Sequence, residues 1–267
     1  DVGCGSGRFA EIALNSGANV VAMDYSSAVD ACHANLGHYP NLHVVQGDIT
    51  VDVDRKRILD SALAHGNGLD GLVNNAGNIY RAALADLDES ALMEVFHQNV
   101  IGAMMMSSIC APALAARGGS IVFLGSIHTR RAFPGASPYA ATKAAIQGLT
   151  KVLAAELGDQ GVRVNCVLPG AVPTEINERA GLGSKAELDA RMRALEPLHA
   201  LGRLGEPSEV AEAIAFQRGR APIVEGSRSM LRMLWTYHEA YSRLVAAGSH
   251  DSFEKWMSLR MMQSFAM

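Results

Sequence analysis

Residues 126–143 read SIHTRRAFPGASPYAATK. Ser126 stands thirteen residues before Tyr139, and Lys143 follows the tyrosine by four. On a helix, that i, i+4 spacing sets Tyr139 and Lys143 one turn apart on the same face. An ammonium so placed favours the tyrosinate and lowers a phenol pKa that starts near ~10. Such a phenol suits general acid–base work near neutral pH. The preceding GGSIVFLGS is rich in Val and Ile and reads as a buried strand. Ser126 would therefore come from the end of a strand and Tyr139 from the start of the next helix. Both can face one crevice, where the serine hydroxyl steadies a carbonyl oxygen.

Outward from this stretch the chain alternates strand and helix patterns. Toward the N-terminus lie a helix at 8–15 with Phe9, Ile12 and Ala13 on its inner face, strands in NVVAMD (19–24) and LHVVQGD (42–48), a helix at 52–65 with Ile58, Leu59, Ala62 and Leu63 inward, and a strand entering the polar turn of GLDGLVNNAG (68–77). This order predicts an α/β chain: a Rossmann-like doubly wound parallel sheet with helices on both faces and its site at the strands' C-terminal ends. A glycine turn of the type at Gly3, Gly5 and Gly7 normally follows a strand. The sequence starts at Asp1, so the first strand is expected to be missing.

The three glycines permit a tight turn and close approach of a ligand to the backbone. The N-terminus of the helix that follows offers amides and a positive dipole end to an anion. Asp24, at the end of NVVAMD, is placed for a pair of ribose hydroxyls, and Asp48 for an adenine amino group. A carboxylate at Asp24 repels a 2′-phosphate, which favours NAD over NADP, although Arg8 is also within reach of a phosphate.

From about residue 69 to 216 the motifs are similar, in order, to those of the short-chain dehydrogenase/reductase family. Asn75, Ala76 and Gly77 of NNAG match its cofactor wall, and Asn99 in DLDESALMEVFHQNVIGAMMMS matches its catalytic asparagine. Ser126, Tyr139 and Lys143 follow. Pro169 and Gly170 then match its PG turn, and Thr174 a position at the nicotinamide or phosphate end of the cofactor. The resemblance implies hydride transfer at nicotinamide C4 between the cofactor and a small alcohol or ketone. Tyr139 would exchange the proton, Ser126 orient the oxygen, Lys143 lower the tyrosine pKa and hold the nicotinamide ribose, and Asn99 support a water in a proton relay. It also implies a homodimer or homotetramer through helices at about 102–116 and 139–158. His97 and His128 flank this region and read as polar surface or satisfied histidines rather than bases.

Residues 1–50 point elsewhere. DVGCGSG, VVAMDYS and PNLHVVQGDI resemble the opening of a class I S-adenosylmethionine-dependent methyltransferase, with Asp24 and Asp48 again on the adenosine. The dehydrogenases use TGxxxGxG at this turn, and of that pattern Gly5 and Gly7 fit while Asp1 replaces the first glycine. Two alternatives follow: a methyltransferase using S-adenosylmethionine, or a non-catalytic Rossmann-like mosaic. The expected division is a catalytic domain over 1–216 and a helical C-terminal segment over 217–267, with helices at 229–247 and from 251.

Composition narrows the classes. The 267 residues are 49% hydrophobic and 19% charged with a net charge of −4, which gives no footprint for nucleic acid or an anionic membrane. The richest apolar run, 101–116, is broken by serines and Pro112, so no membrane span is expected. Cys4, Cys32, Cys110 and Cys166 form no CxxC pair. No metal site follows, and the cysteines suit a reducing, cytoplasmic setting.

Overall fold

The computed structural model describes residues 1–199 and 201–218. The expected helices at 229–247 and from 251, and the rest of the C-terminal segment beyond residue 218, lie outside the described residues. The chain divides into two compact units: Asp1–Leu188 with Gly205–Gly219, and Asp189–Leu204 with Arg220–Met267. The first carries the sheet. Of the second, the described residues hold the end of a helix (Lys185–Leu195) and a short 3-10 turn (Glu196–Leu198), where His199 Nδ1 meets the Leu195 carbonyl at 2.8 Å.

Among the described residues, five parallel strands form the sheet: β1 (Val20–Asp24), β2 (Leu42–Gln46), β3 (Gly71–Asn74), β4 (Ser120–Leu124) and β5 (Arg163–Val167). The helices in chain order are α1 (Arg8–Asn15), α2 (Ala28–Leu36), α3 (Asp52–Gly66), α4 (Glu89–Phe96), α5 (Ala103–Ala115), α6 (Ser137–Glu156), α7 (Ile176–Arg179), α8 (Lys185–Leu195) and α9 (Pro207–Arg218). β1 pairs with β2, and β4 lies between β3 and β5. The expected gap between β1 and β3 is filled. Val2 bridges Met23 on one side and Asn74 on the other, both in parallel sense. Its amide donates to the Val73 carbonyl at 3.0 Å, its carbonyl accepts from Asn75 and Ala76, and the Asp1 carbonyl accepts from Met23 at 2.9 Å. Two residues thus supply the end of the first strand where it matters, at the lip of the site.

The core follows from the strand composition. Every residue of β4 is buried, with Ile121, Val122 and Phe123 fully so, as a strand packed on both faces must be. One face meets Met106, Cys110 and Leu114 of α5 (Ala103–Ala115), each burial contributing roughly 1.5–3 kcal/mol for a large side chain. The other face packs Val122 and Leu124 with Val167, and with Ile214 of α9 (Pro207–Arg218). Helices α4 (Glu89–Phe96) and α5 join through a π-helical turn, His97–Gly102, into one run, Glu89–Ala115. That run is long and apolar enough to cross a membrane by length and composition, with mean hydropathy 1.2. Its buried residues pack on the sheet, as in a core helix.

The first helix, α1 (Arg8–Asn15), has the predicted bounds, and Ala13 packs inward as expected, but beside residues the pattern did not name. Ala10 and Leu14 are its buried residues, in a cluster with Cys4, Val20, Ala22, Cys32 and Leu36. Phe9 packs instead toward Val122, Leu124, Val167 and Ile214, and Ile12 lines an open cleft. In α3 (Asp52–Gly66) Ile58 is buried as expected, but Arg55 joins it through its 2.7 Å bond to the Ile49 carbonyl, while Leu59, Ala62 and Leu63 are half-buried.

The glycine turn divides by sterics. A Cβ on Gly3 would stand 2.4 Å from the Ala76 Cα, and one on Gly7 2.5 Å from a Leu36 methyl, whereas Gly5 faces open space. The glycines that packing demands are therefore Gly3 and Gly7, spaced as the first two glycines of TGxxxGxG, and Phe9 takes the place of the third. This corrects the register in which Gly5 and Gly7 fit and Asp1 stands for the first glycine. Replacing Gly3 by Ala, at φ +82° and against backbone, is expected to cost ~2 kcal/mol more than Gly5→Ala, whose φ of +54° alone costs ~1–2 kcal/mol. Urea denaturation of the two variants checks the difference.

Candidate active site

The end of β4, the first turn of α6 (Ser137–Glu156) and the loop after β5 meet at one place. After β4 comes Gly125, whose Cβ would lie 2.9 Å from Cys166 Sγ; the bare glycine lets the chain pass and present Ser126. The Ile127 amide donates to the Pro169 carbonyl at 3.0 Å, so the PG turn of Pro169 and Gly170 holds the serine loop. Pro138 opens α6, and Tyr139 and Lys143 project from its first two turns. Lys143 is buried, its Nζ donates to the Leu124 carbonyl at 2.7 Å and lies 5.6 Å from the Tyr139 ring centre. Ser126, Tyr139 and Lys143 are thus brought together as the spacing predicts.

The electrostatics differ from the expectation. Burial raises the Tyr139 phenol above its usual value, and the opposing influence is a hydrogen bond from Ser126, not the Lys143 charge. Lys143 is itself pushed down from 10.5 to about 8 by burial. Burial thus disfavours the charged form of both groups. At the phenol it outweighs the opposing contact of Ser126.

Asn99 reaches the site from the π-helical turn. Its Oδ1 accepts from the Asn78 amide at 2.7 Å, and its Nδ2 donates to the Asn78 carbonyl at 2.8 Å and to Thr142 Oγ1 at 3.1 Å. Thr142 in turn donates to the Tyr139 carbonyl at 2.8 Å. Both amide hydrogens are used, so any water that Asn99 supports must use the second lone pair of Oδ1. A Cβ on Gly77 would sit 2.9 Å from that Oδ1 and 3.8 Å from Lys143 Nζ, which explains the glycine of NNAG.

On the cofactor side, Asn75 Nδ2 donates to the Gly3 carbonyl and Ala76 packs on Gly3, joining the NNAG wall to the glycine turn. No side chain caps α1, leaving its first-turn amides as donors for an anion. Asp24 is buried; Oδ2 accepts from the Gly5 amide at 3.0 Å, and Oδ1 from the Ser26 amide and hydroxyl at 3.0 and 2.7 Å. Of about four acceptor sites on a carboxylate, three are taken. One ribose hydroxyl can be accepted, not the expected pair. Asp48 Oδ1 accepts twice from Thr50, so an adenine amino group would use Oδ2; this residue lines an opening of about 340 Å³ with Tyr25, Gln46, Gly47, Asp54 and Arg57. Arg8, Glu11, Ile12, Pro173 and Glu206 to Ser208 line a second, of about 510 Å³. Thr174 is exposed beside Pro173. These features fit a dinucleotide: an uncapped helix start, a glycine turn open at Gly5, and an acid beyond it.

A family model described as Enoyl-(Acyl carrier protein) reductase matches residues 6–227. The chain is 35% identical to Dehydrogenase/reductase SDR family member 4 of Mus musculus over 165 residues, 61% of this chain and 57% of that one. It belongs to the short-chain dehydrogenase/reductase family. An uncharacterized oxidoreductase of Methylorubrum extorquens is 34% identical over 172 residues, 64% of this chain and 67% of its own length. Among solved structures, a short-chain dehydrogenase/reductase of unknown function from Caenorhabditis elegans, with cofactor, superposes with a TM-score of 0.75 at 28% identity, covering 81% of this chain and 86% of that one. A short-chain dehydrogenase/reductase from Brucella melitensis, named glucose/ribitol dehydrogenase, gives 0.74 at 30%, covering 82% and 87%. The chain spans less than two thirds of the length of the mouse relative. The family match extends through residues 6–50, so the methyltransferase resemblance of the opening is one of motif, not of family.

Within this short-chain dehydrogenase/reductase, two site residues escape the sequence reading. His128 is not merely a satisfied neighbour: its Nδ1 lies 3.0 Å from Ser126 Oγ and its ring meets Tyr139 edge-on at 5.2 Å. The signal was a histidine two residues after the site serine. Thr142 was legible as a threonine three residues after Tyr139, the spacing at which a hydroxyl bonds back to a helix carbonyl. His97 is exposed.

Lys143 makes stability depend on pH. Its folded pKa of about 8 lies below the unfolded 10.5, so the unfolded chain binds the extra proton and stability rises with pH across that window. Denaturation of the cofactor-free protein should show a gain on the order of 2–3 kcal/mol between pH 8 and 10. Lys143→Met should remove that rise.

Proposed function

We propose that the chain is an NAD-dependent oxidoreductase of the short-chain type that interconverts a small secondary alcohol and a ketone. The observation that carries this reading is the meeting of Ser126 with Tyr139, above a buried Lys143, at the C-terminal edge of the sheet. When bound, the nicotinamide would supply or accept a hydride at its C4. The uncapped start of α1 and the turn from Gly3 to Gly7 would hold the diphosphate. Asp24 would accept from the adenosine ribose, and Asn75 to Gly77 would form the wall. Ser126 donates to the substrate oxygen and orients it. Tyr139 gives its phenolic proton to that oxygen in reduction and takes it back in oxidation. Lys143 is positioned to hold the nicotinamide ribose and, with a pKa near neutrality, to restore the tyrosine's proton.

NAD is preferred because the Asp24 carboxylate is buried against the glycine turn. A 2′-phosphate at ~6 Å would be repelled by about 3 kcal/mol at an effective dielectric near 20, or roughly a hundredfold in affinity. We place the enzyme as a homodimer or homotetramer of the cytoplasm, in line with the family resemblance and with the four free cysteines among the described residues.

Two measurements test this. Tyr139→Phe should lower turnover of NADH with a panel of small ketones by ~10²–10⁴-fold while NADH affinity stays within about twofold; unchanged turnover would exclude the phenol as acid and base. The kcat/KM of the unaltered protein should favour NADH over NADPH by roughly a hundredfold, and the reverse preference would remove Asp24 from cofactor selection.

A further inference from the structure

His128 stands on the 3-10 turn Ile127–Thr129 and makes two contacts with one atom. Its backbone N–H donates to Ser126 Oγ at 3.2 Å, and its Nδ1 lies 3.0 Å from the same oxygen. The ring is held on both sides, tilted against Phe133 at 4.3 Å and edge-on to Tyr139 at 5.2 Å. A serine hydroxyl has one proton to give and two lone pairs to offer. The backbone N–H takes one lone pair. If Nδ1 were bare, it would take the serine's proton and turn it away from Tyr139. If Nδ1 carries a hydrogen, it fills the second lone pair, and the serine's proton points to the remaining direction.

We propose that His128 is a positioning residue that donates from Nδ1 to Ser126 Oγ and thereby commits the serine's single proton to the phenol and to the oxygen being reduced. The inference rests on the oxidoreductase reading for its consequence, though not for its geometry. The geometry favours the Nδ1–H form. The backbone N–H of His128 fills one lone pair of Ser126 Oγ at 3.2 Å and Nδ1 stands 3.0 Å from the same oxygen, so only a hydrogen on Nδ1 leaves the serine's one proton for the phenol and the substrate oxygen. Burial and the nearby Arg81 charge push His128 down to about 4, so the donor near neutral pH is a neutral tautomer and not an imidazolium. The other ionisable groups at this junction are Lys143 beneath Tyr139 and Cys166, which interacts with Lys143.

Nitrogen NMR on the unaltered protein, with His128 assigned through His128→Asn, should show the hydrogen on Nδ1 and a bare Nε2 at neutral pH. The phenolate absorbance of Tyr139, isolated by subtracting the titration of Tyr139→Phe, gives the second measurement. In His128→Leu, which has no donor, the Tyr139 pKa should rise by about one unit. In His128→Asn, whose side-chain N–H reaches similarly, it should stay within roughly 0.3 unit. A hydrogen found on Nε2, or a Tyr139 pKa equal in the Leu variant and the unaltered protein, overturns the proposal. Both readouts work without substrate. Failure of the unaltered chain to turn over NADH with ketones would reject the oxidoreductase reading and leave these measurements to decide the His128–Ser126 contact alone.

Discussion

The backbone of Asp1 and Val2 hydrogen-bonds on both sides, to β1 through Val21 and Met23 and to β3 through Val73, Asn75 and Ala76. Without these two residues the pair β1–β2 and the trio β3–β4–β5 would share no ladder. Everything at the cofactor side depends on that junction. The Val2 carbonyl receives the Asn75 and Ala76 amides, and Gly3 lies so close to Ala76 that no side chain fits between them. Asp24 on β1, the NNAG turn after β3 and the glycine turn are therefore one rigid lip. Unpaired amides and carbonyls at this depth would each cost on the order of 1–3 kcal/mol, so the two bridges at Val2 are decisive.

On the other side of the lip, proton chemistry is set by burial. Lys143 and Tyr139 are both pushed toward their neutral forms, and hydrogen bonds orient what remains. Leu124 offers a carbonyl to the ammonium, Thr142 ties Asn99 to the carbonyl of Tyr139, and His128 meets Ser126. Desolvation brings the lysine near the pH at which it can exchange a proton, and it holds the phenol protonated until a partner arrives. The serine hydroxyl is held between these groups, with the His128 backbone N–H and Nδ1 both within hydrogen-bond distance of it.

Much of this was readable in the chain. The helix at 8–15, all five strands and the convergence of Ser126, Tyr139 and Lys143 followed from periodicity and spacing, because each rests on local pattern. The reading failed where contact across the sheet decides. Asp1 and Val2 are too short to register as a strand, yet their neighbours complete them. Gly3 and Gly7, not Gly5, are sterically required, which only Ala76 and Leu36 reveal. A charged lysine four residues from a tyrosine suggests a lowered phenol pKa, but sequence spacing carries no measure of desolvation. His128 looked like a bystander because its role depends on the turn that folds Nδ1 back onto Ser126.

The lip formed by Gly3 to Gly7, Asp24 and Asn75 to Gly77 fits a nicotinamide dinucleotide. Calorimetric titration of the unaltered chain with NADH and, separately, with S-adenosylmethionine should give saturable one-to-one binding of NADH in the micromolar range, about −8 kcal/mol, and no heat from S-adenosylmethionine. Binding of S-adenosylmethionine with none of NADH would rule this out.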